Sequence, residues 1–221
     1  MADSHQETRH VPRQAQYRAR RSDSADRSLR GGAPGVVAMS ISLQRLLRHM
    51  SWANQRVYAA VQTLPESALD SFIINPEWTA KRILRHILGG SDWYCSLLAD
   101  SDMSDLPRPA SMADVREIAV LLQKRDAVLL ECSDLEDAPL RLDSEIERGV
   151  FLRSTILSQA VHHATEHRAQ LIDALDYKGY KSIILDTCDV WSFESFEKGE
   201  RYAHFHAPHI PAADQMSSNE W

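Results

Sequence analysis

The run from Ile156 to Ala174 constrains this chain most. Ile156, Ala160, His163, His167, Leu171 and Ala174 recur in it at three- and four-residue intervals. An α-helix puts residues so spaced on one face. Two imidazoles stand one turn apart on that face, so the spacing predicts that His163 and His167 point together into the interior. A buried ring nitrogen with neither a hydrogen bond nor a metal is costly. The pair therefore has two readings. They are core histidines bonded to carbonyls or carboxylates, or they are ligands of a divalent metal that satisfies both rings at once.

The same period recurs in three earlier segments. Leu43, Leu46, Leu47, Met50, Val57 and Val61 predict a first helix over 42–63, with Ser42 as N-cap and Pro65 limiting its end. Trp52 and Asn54 flank that stripe, and His49 can face core, solvent or the metal. Thr79 is a suitable N-cap for a second helix over 79–99. Its stripe is Ile83, His86 or Ile87, Gly90, Trp93 or Tyr94, and Leu97. Glycine within a helix costs about 1 kcal/mol relative to alanine. The pair Gly89-Gly90 therefore suggests close approach, room for a ligand, or a slight kink. Ser111 and Asp114 form a capping-box pattern before a third helix over 112–133. That helix is marked by Val115, Ile118, Leu121 or Leu122, Arg125 or Asp126, and Leu129.

Alternation at Leu140–Leu142 and a turn pattern at Glu147-Arg148-Gly149 fit a small β-hairpin. The fourth helix spans 153–178 and stops at Gly179. A short last helix near 188–198 is capped by Asp186 or Thr187 and anchored by Val190, Trp191, Phe193 and Phe196. The predicted fold class is all-α. It is an antiparallel-type four-helix bundle with a short extra C-terminal helix and room for a β-hairpin before the fourth helix.

Composition divides the chain. Residues 1–38 hold seven Arg and no Lys against four acidic residues, few large apolar side chains, and the Gly- and Pro-rich close 31–35. They read as a disordered extension. Residues 39–199 form the bundle, and 200–221 are a flexible tail in which His204, His206 and His209 bind metal at most adventitiously. After residue 38 the chain carries 18 basic and 27 acidic residues of its 25 and 31. That excess argues against a nucleic-acid partner. No run of 18 apolar residues predicts a membrane span. Three scattered cysteines without a C-x-x-C pattern suit a reducing, cytoplasmic setting.

His86 on the second helix decides between the readings of the histidine pair. Metal sites in bundles are built from inward side chains on facing helices. Three imidazoles with an open position match a catalytic divalent site. Zn²⁺ suits the ligand type best, and Ni²⁺ or Fe²⁺ also suits imidazole. His163-Ala164-Thr165-Glu166-His167 also matches the H-x-x-E-H of inverzincin proteases. That motif is short, and the all-helical pattern lacks the sheet such a site needs. A di-iron carboxylate bundle would need inward Glu-x-x-His pairs, and that set is missing.

The sequence His162-His163-Ala164-Thr165-Glu166-His167-Arg168-Ala169-Gln170 resembles the last main helix of the DinB-like (DinB/YfiT-type) metal-binding four-helix bundles, at His163, His167, Arg168 and Gln170. His86 in Ile83–Gly89 and the opening Leu46–Asn54 are also similar to that family. The likeness covers roughly 40–197 and departs from the family pattern at Glu166 and Ala169. It implies a metal held by His86, His163 and His167. It also implies a metal-dependent enzyme activating a thiol or water nucleophile, of the kind that transfers a low-molecular-weight thiol to a small-molecule substrate. A non-catalytic metal-binding stress or interaction protein is the alternative, and a homodimer is plausible in either case. Glu166, about 60° round the helix from His163, is a candidate to orient a ligand or accept a proton, against the plainer role of a solvated surface carboxylate. Gln170 is placed to support His167. Arg168 is expected to face outward or to cap an acidic neighbour. Trp93 and Tyr94 either wall the site or pack in the core.

Overall fold

The computed structural model describes residues 42–99, 101–143, 147–181 and 183–200. The readings made for 1–38 and for the histidines of the tail lie outside the described residues. Four long helices form the body: α1 (Leu43–Val61), α2 (Ala80–Ala99), α3 (Met112–Cys132) and α4 (Arg153–Tyr177). A two-stranded antiparallel hairpin, β1 (Pro139–Asp143) and β2 (Arg148–Leu152), precedes α4, and the short α5 (Val190–Glu197) follows it.

Each boundary has a local cause. Ser111 accepts from the Asp114 amide while the Asp114 carboxylate accepts from the Ser111 amide, which completes the capping box of α3. At the end of α4, Gly179 takes φ +86°. Its amide bonds the Asp176 carbonyl, and the Tyr180 amide reaches back to Leu175. This is a Schellman ending, in which the left-handed residue favours glycine. The cap of α5 differs from the sequence expectation. A 3-10 turn occupies Leu185–Cys188, so the Asp189 carboxylate, rather than Asp186 or Thr187, accepts from the Ser192 amide at 2.7 Å. Of the four expected anchors of α5 only Phe193 is buried, against His49 and Trp52; Val190, Trp191 and Phe196 are exposed.

Two apolar clusters fill the bundle, one at each end. The first joins the end of α1 (Val57, Val61), the start of α2 (Ile83, Leu84, Ile87), the start of α3 (Val115, Ile118, Leu122) and the end of α4 (Leu171, Ile172, Leu175). The second joins the opposite ends: Leu47 and Met50, Tyr94 and Leu97, Leu129 and Cys132, and Ile156 and Leu157. Hence α1 and α4 run one way, and α2 and α3 run the other. This corrects the simple antiparallel expectation, because the consecutive helices α2 and α3 are parallel. The twelve residues between Ala99 and Met112 make that possible. Extended, they reach about 40 Å, longer than the roughly 30 Å of a twenty-residue helix. This strap is pinned as it runs back along the bundle. The buried Asp92 accepts from the Ser104 amide (2.8 Å) and hydroxyl (3.0 Å), and it pairs with Arg125 at 2.6 Å. Further along, Leu106 is buried in the first cluster.

Candidate metal centre

The sequence-predicted histidines come from α2 and α4, which pack side by side. His86 lies on α2, and His163 and His167 lie on α4. Their ring nitrogens gather so that one ligand atom from each lies within 4.8 Å of the others. The rings meet as near neighbours, with His163 4.4 Å from His167, and His86 4.4 Å from His167 and 4.9 Å from His163, between centroids. Nε2 of His163 stands 3.1 Å from Nε2 of His86. Two N–H groups cannot face each other at that distance, so at least one of these nitrogens presents a lone pair.

The site is not in the core. His163 and His167 are half-buried and His86 is exposed, which corrects the expectation that the pair points into the interior. The residues of α4 that do point inward are one position later, Ala164 and Arg168, at 1% and 2% exposure. The histidines occupy the edge of the buried stripe, at the mouth of the seam between α2 and α4.

Room for the cluster depends on Gly90. A Cβ there would come within 2.6 Å of His163 Nδ1 and 3.0 Å of Nε2, and closer still to Cε1. Gly89 has no such neighbour, since a Cβ there would meet only Leu106 at 3.8 Å. The glycine pair thus divides, and Gly90 alone clears space for the His163 ring.

Gln170 fixes the state of His167. The Trp78 indole N–H donates to Gln170 Oε1 at 3.0 Å. An indole only donates, so the oxygen of the amide is the atom that faces it. The same oxygen lies 2.9 Å from His167 Nδ1, which therefore carries the proton and donates. The lone pair of His167 is left on Nε2. Trp78 also packs edge-on against His86 (5.2 Å) and His167 (5.7 Å), and Tyr94 against His163 (5.8 Å). Trp93 packs on Tyr94 at 5.0 Å without reaching the histidines.

Electrostatics keep His163 and His86 neutral. Burial, then the charges of His167 and His86, push His163 down to about 4. Burial, then His167 and Arg82, lower His86. Neutral imidazoles with lone pairs turned to one another are the donor state a divalent cation requires. Tetrahedral nitrogens at about 2.0–2.1 Å from zinc lie about 3.3 Å apart, close to the 3.1 Å between His86 and His163. The three-histidine set is compatible with a divalent metal.

The other site candidates separate. Glu166 is exposed and outside the cluster. Its charge bears on Tyr94, whose hydroxyl burial pushes up to about 12 against a hydrogen bond with Gln159. His49 is buried elsewhere, its Nε2 2.8 Å from the Cys188 carbonyl, and takes no part in the cluster. Arg168 does not face outward. It is among the largest fully buried side chains, donating to Asn54 Oδ1 (2.7 Å) and Thr165 Oγ1 (2.9 Å). Asn54 donates onward to Asp126 at 2.9 Å, and Ser91 donates to the same carboxylate at 3.3 Å. One residue from each long helix thus forms a polar layer between the two apolar clusters. Burial pushes Asp126 up to about 6 against those hydrogen bonds and lowers Arg168 to about 10, where it remains charged at neutral pH. Sequence reading missed this layer and Trp78. The only sequence traces of the layer are polar residues on otherwise apolar stripes.

Fold and site together describe a four-helix bundle with a three-histidine cluster at the seam of two facing helices. The family model for the DinB family matches residues 39–199, and the chain belongs to that family. No curated protein and no solved structure gives a significant match. Among the described residues no helix is long and apolar enough to cross a membrane. Cys95, Cys132 and Cys188 are free and buried.

Proposed function

We propose that the chain is a divalent-metal-dependent enzyme in which His86, His163 and His167 hold the cation and a low-molecular-weight thiol, or water, is the nucleophile. One observation carries this reading: three imidazoles from two helices converge at an accessible seam, where Gly90 clears the space for the His163 ring. Zn²⁺ suits the donor set best, with Ni²⁺ and Fe²⁺ next. When bound, such a cation supplies Lewis acidity, which lowers the pKa of a thiol or water at neutral pH.

The chain's own residues orient and enclose. Gln170 holds the Nδ1–H of His167 and so aims its Nε2. Trp78 and Tyr94 give the site apolar walls, which leaves the exposed side of His86 as the approach for a small molecule. Glu166, whose charge reaches Tyr94, is the candidate to take up a proton on its carboxylate.

Metal analysis of the purified protein and of His86→Ala and His163→Ala tests the site. Stoichiometric metal in the wild type and its loss in both variants is expected. Metal content unchanged by either substitution would sink the three-histidine site. Activity is tested by a conjugation screen of several thiols and electrophiles, with chelation as control. Product that disappears with the metal supports the enzyme. Metal bound by the cluster with no product across the screen would instead assign a non-catalytic metal-binding protein.

A further inference from the structure

Beside the histidines, the connection from α1 to α2, the first turns of α2 and the strap enclose an open groove of about 760 Å³. That volume suits a small molecule. Its charge runs against that of the chain, whose formal net is -6. Lys81, Arg82, Arg85 and Arg108 line it against only two carboxylates, Asp70 and Glu77. Lys81 is paired with Asp70 at 2.5 Å, and Arg82 is held loosely by Glu77 at 4.0 Å. Arg85 and Arg108 have no carboxylate partner among the described residues. Arg85 donates from Nη2 to the Leu106 carbonyl at 3.3 Å, while its buried Nε has no acceptor. A buried donor left unpaired is costly. A guanidinium edge is also the geometry that holds two oxygens of a carboxylate or phosphate.

The groove adjoins the metal centre. Arg82 lies one turn before His86 on α2, and its guanidinium stands 5.9 Å from the centroid of the Trp78 ring. Trp78 follows Glu77 and precedes Thr79, both groove residues, and turns its indole onto His86 and His167.

We propose that this groove binds a small dianion, a dicarboxylate or a phosphate, through Arg85 and Arg108. Its occupant is the anionic part of the compound presented to the histidines, a statement that rests on the function proposed above. Two guanidinium groups without a carboxylate partner match two negative charges, and Arg82, which lines the groove and stands beside Trp78, links the anion to the aromatic wall of the histidines.

Calorimetry on the metal-free full chain, with succinate and with inorganic phosphate as probes, tests the groove by itself. One-to-one binding of at least one probe is expected, weakened about tenfold or more in Arg108→Gln and unchanged in His86→Ala. Arg108 is exposed, so its variant folds even if Arg85→Gln, which loses a contact to the strap, does not. The tighter of the two probes assigns the anion class. Binding of neither probe, or equal binding to wild type and Arg108→Gln, overturns the groove whatever the metal does. The link to the histidines is read on Co²⁺-loaded protein. The tighter probe is expected to change the visible spectrum of the wild type and not that of Arg108→Gln. A spectrum unchanged at saturating anion overturns the link. Failure of the three-histidine site itself shows in the metal content of His86→Ala, which the calorimetry does not depend on.

Discussion

His167 and Arg168 are neighbours in sequence, yet their side chains enter two different polar assemblies on α4. Arg168 enters the buried layer with Asn54, Ser91 and Asp126, where each side chain is hydrogen-bonded and no buried side-chain nitrogen or oxygen is left without a partner. His167 enters the cluster with His86 and His163, where the ring nitrogens face each other at the surface of the seam. A buried polar network is stable when every member is satisfied. A half-exposed set of converging lone pairs is left for something else to satisfy. One group of residues is satisfied within the bundle, whereas the other gathers its ring nitrogens at the seam where the proposed cation would bind, although α2 and α4 contribute to both.

Substitutions break this comparison in order of size. Arg168→Ala leaves Asp126 buried without its compensating charge, and about 3–5 kcal/mol of stability is expected to be lost in urea unfolding. His86→Ala on metal-free protein is expected to change stability by no more than about 0.5 kcal/mol, as for an exposed side chain. If both variants were equally unstable, the division into structural layer and ligand site would collapse.

Gly90→Ala acts the other way. Its Cβ displaces the His163 ring, which can swing outward, and helix propensity improves by about 1 kcal/mol. Thermal stability is expected to be kept or raised while metal affinity falls about 100-fold, roughly 2.7 kcal/mol. Wild-type affinity in a metal titration would show that the ring position is not needed. Gln170→Leu removes the acceptor of His167 Nδ1–H and is expected to weaken metal binding about 10- to 100-fold, with a small effect on unfolding. An equal loss of affinity in Thr165→Ala, whose hydroxyl bonds Arg168 and the Val161 carbonyl, would argue against Gln170 as the specific support.

The two assemblies also titrate with opposite sign in one pH window. The folded Asp126 sits near 6, above its unfolded value near 3.9. Between those values the native state binds the extra proton, and stability from this group falls as pH rises. The folded His163 sits near 4, below its unfolded value near 6.5. There the unfolded state binds the extra proton, and stability rises with pH. On metal-free protein, Asp126→Asn is expected to make the slope of stability between pH 4 and 6 more positive, and His163→Ala to make it more negative. Each change is at most about 1.4 kcal/mol per pH unit. Slopes that move together in urea midpoints at pH 4.5 and 6 would contradict the opposed protonation of the two sites.

Much of the architecture was legible in the sequence because helices declare themselves locally. The apolar period marked all four long helices, Ser111 and Asp114 marked a start, and Gly179 marked a stop; each works through contacts within a few residues. The three histidines were legible for the same reason, since His163 and His167 share a face by spacing alone. Their depth was not. On α4 the pattern suggested histidines inside, with Arg168 facing outward or capping an acidic neighbour. Whether Arg168 can be buried depends on Asn54 and Asp126, which lie 114 and 42 positions away in the chain.

What the sequence determined by itself was therefore the helices, their ends and the types of donor available for chemistry. Tertiary structure alone decided that α2 and α3 run parallel under the strap, that one residue from each helix meets in a buried layer, and that Gly90 faces the His163 ring. The physical reason is range. Periodicity and capping are set within one or two turns, whereas a buried charge or a cleared pocket exists only when distant segments supply its partners.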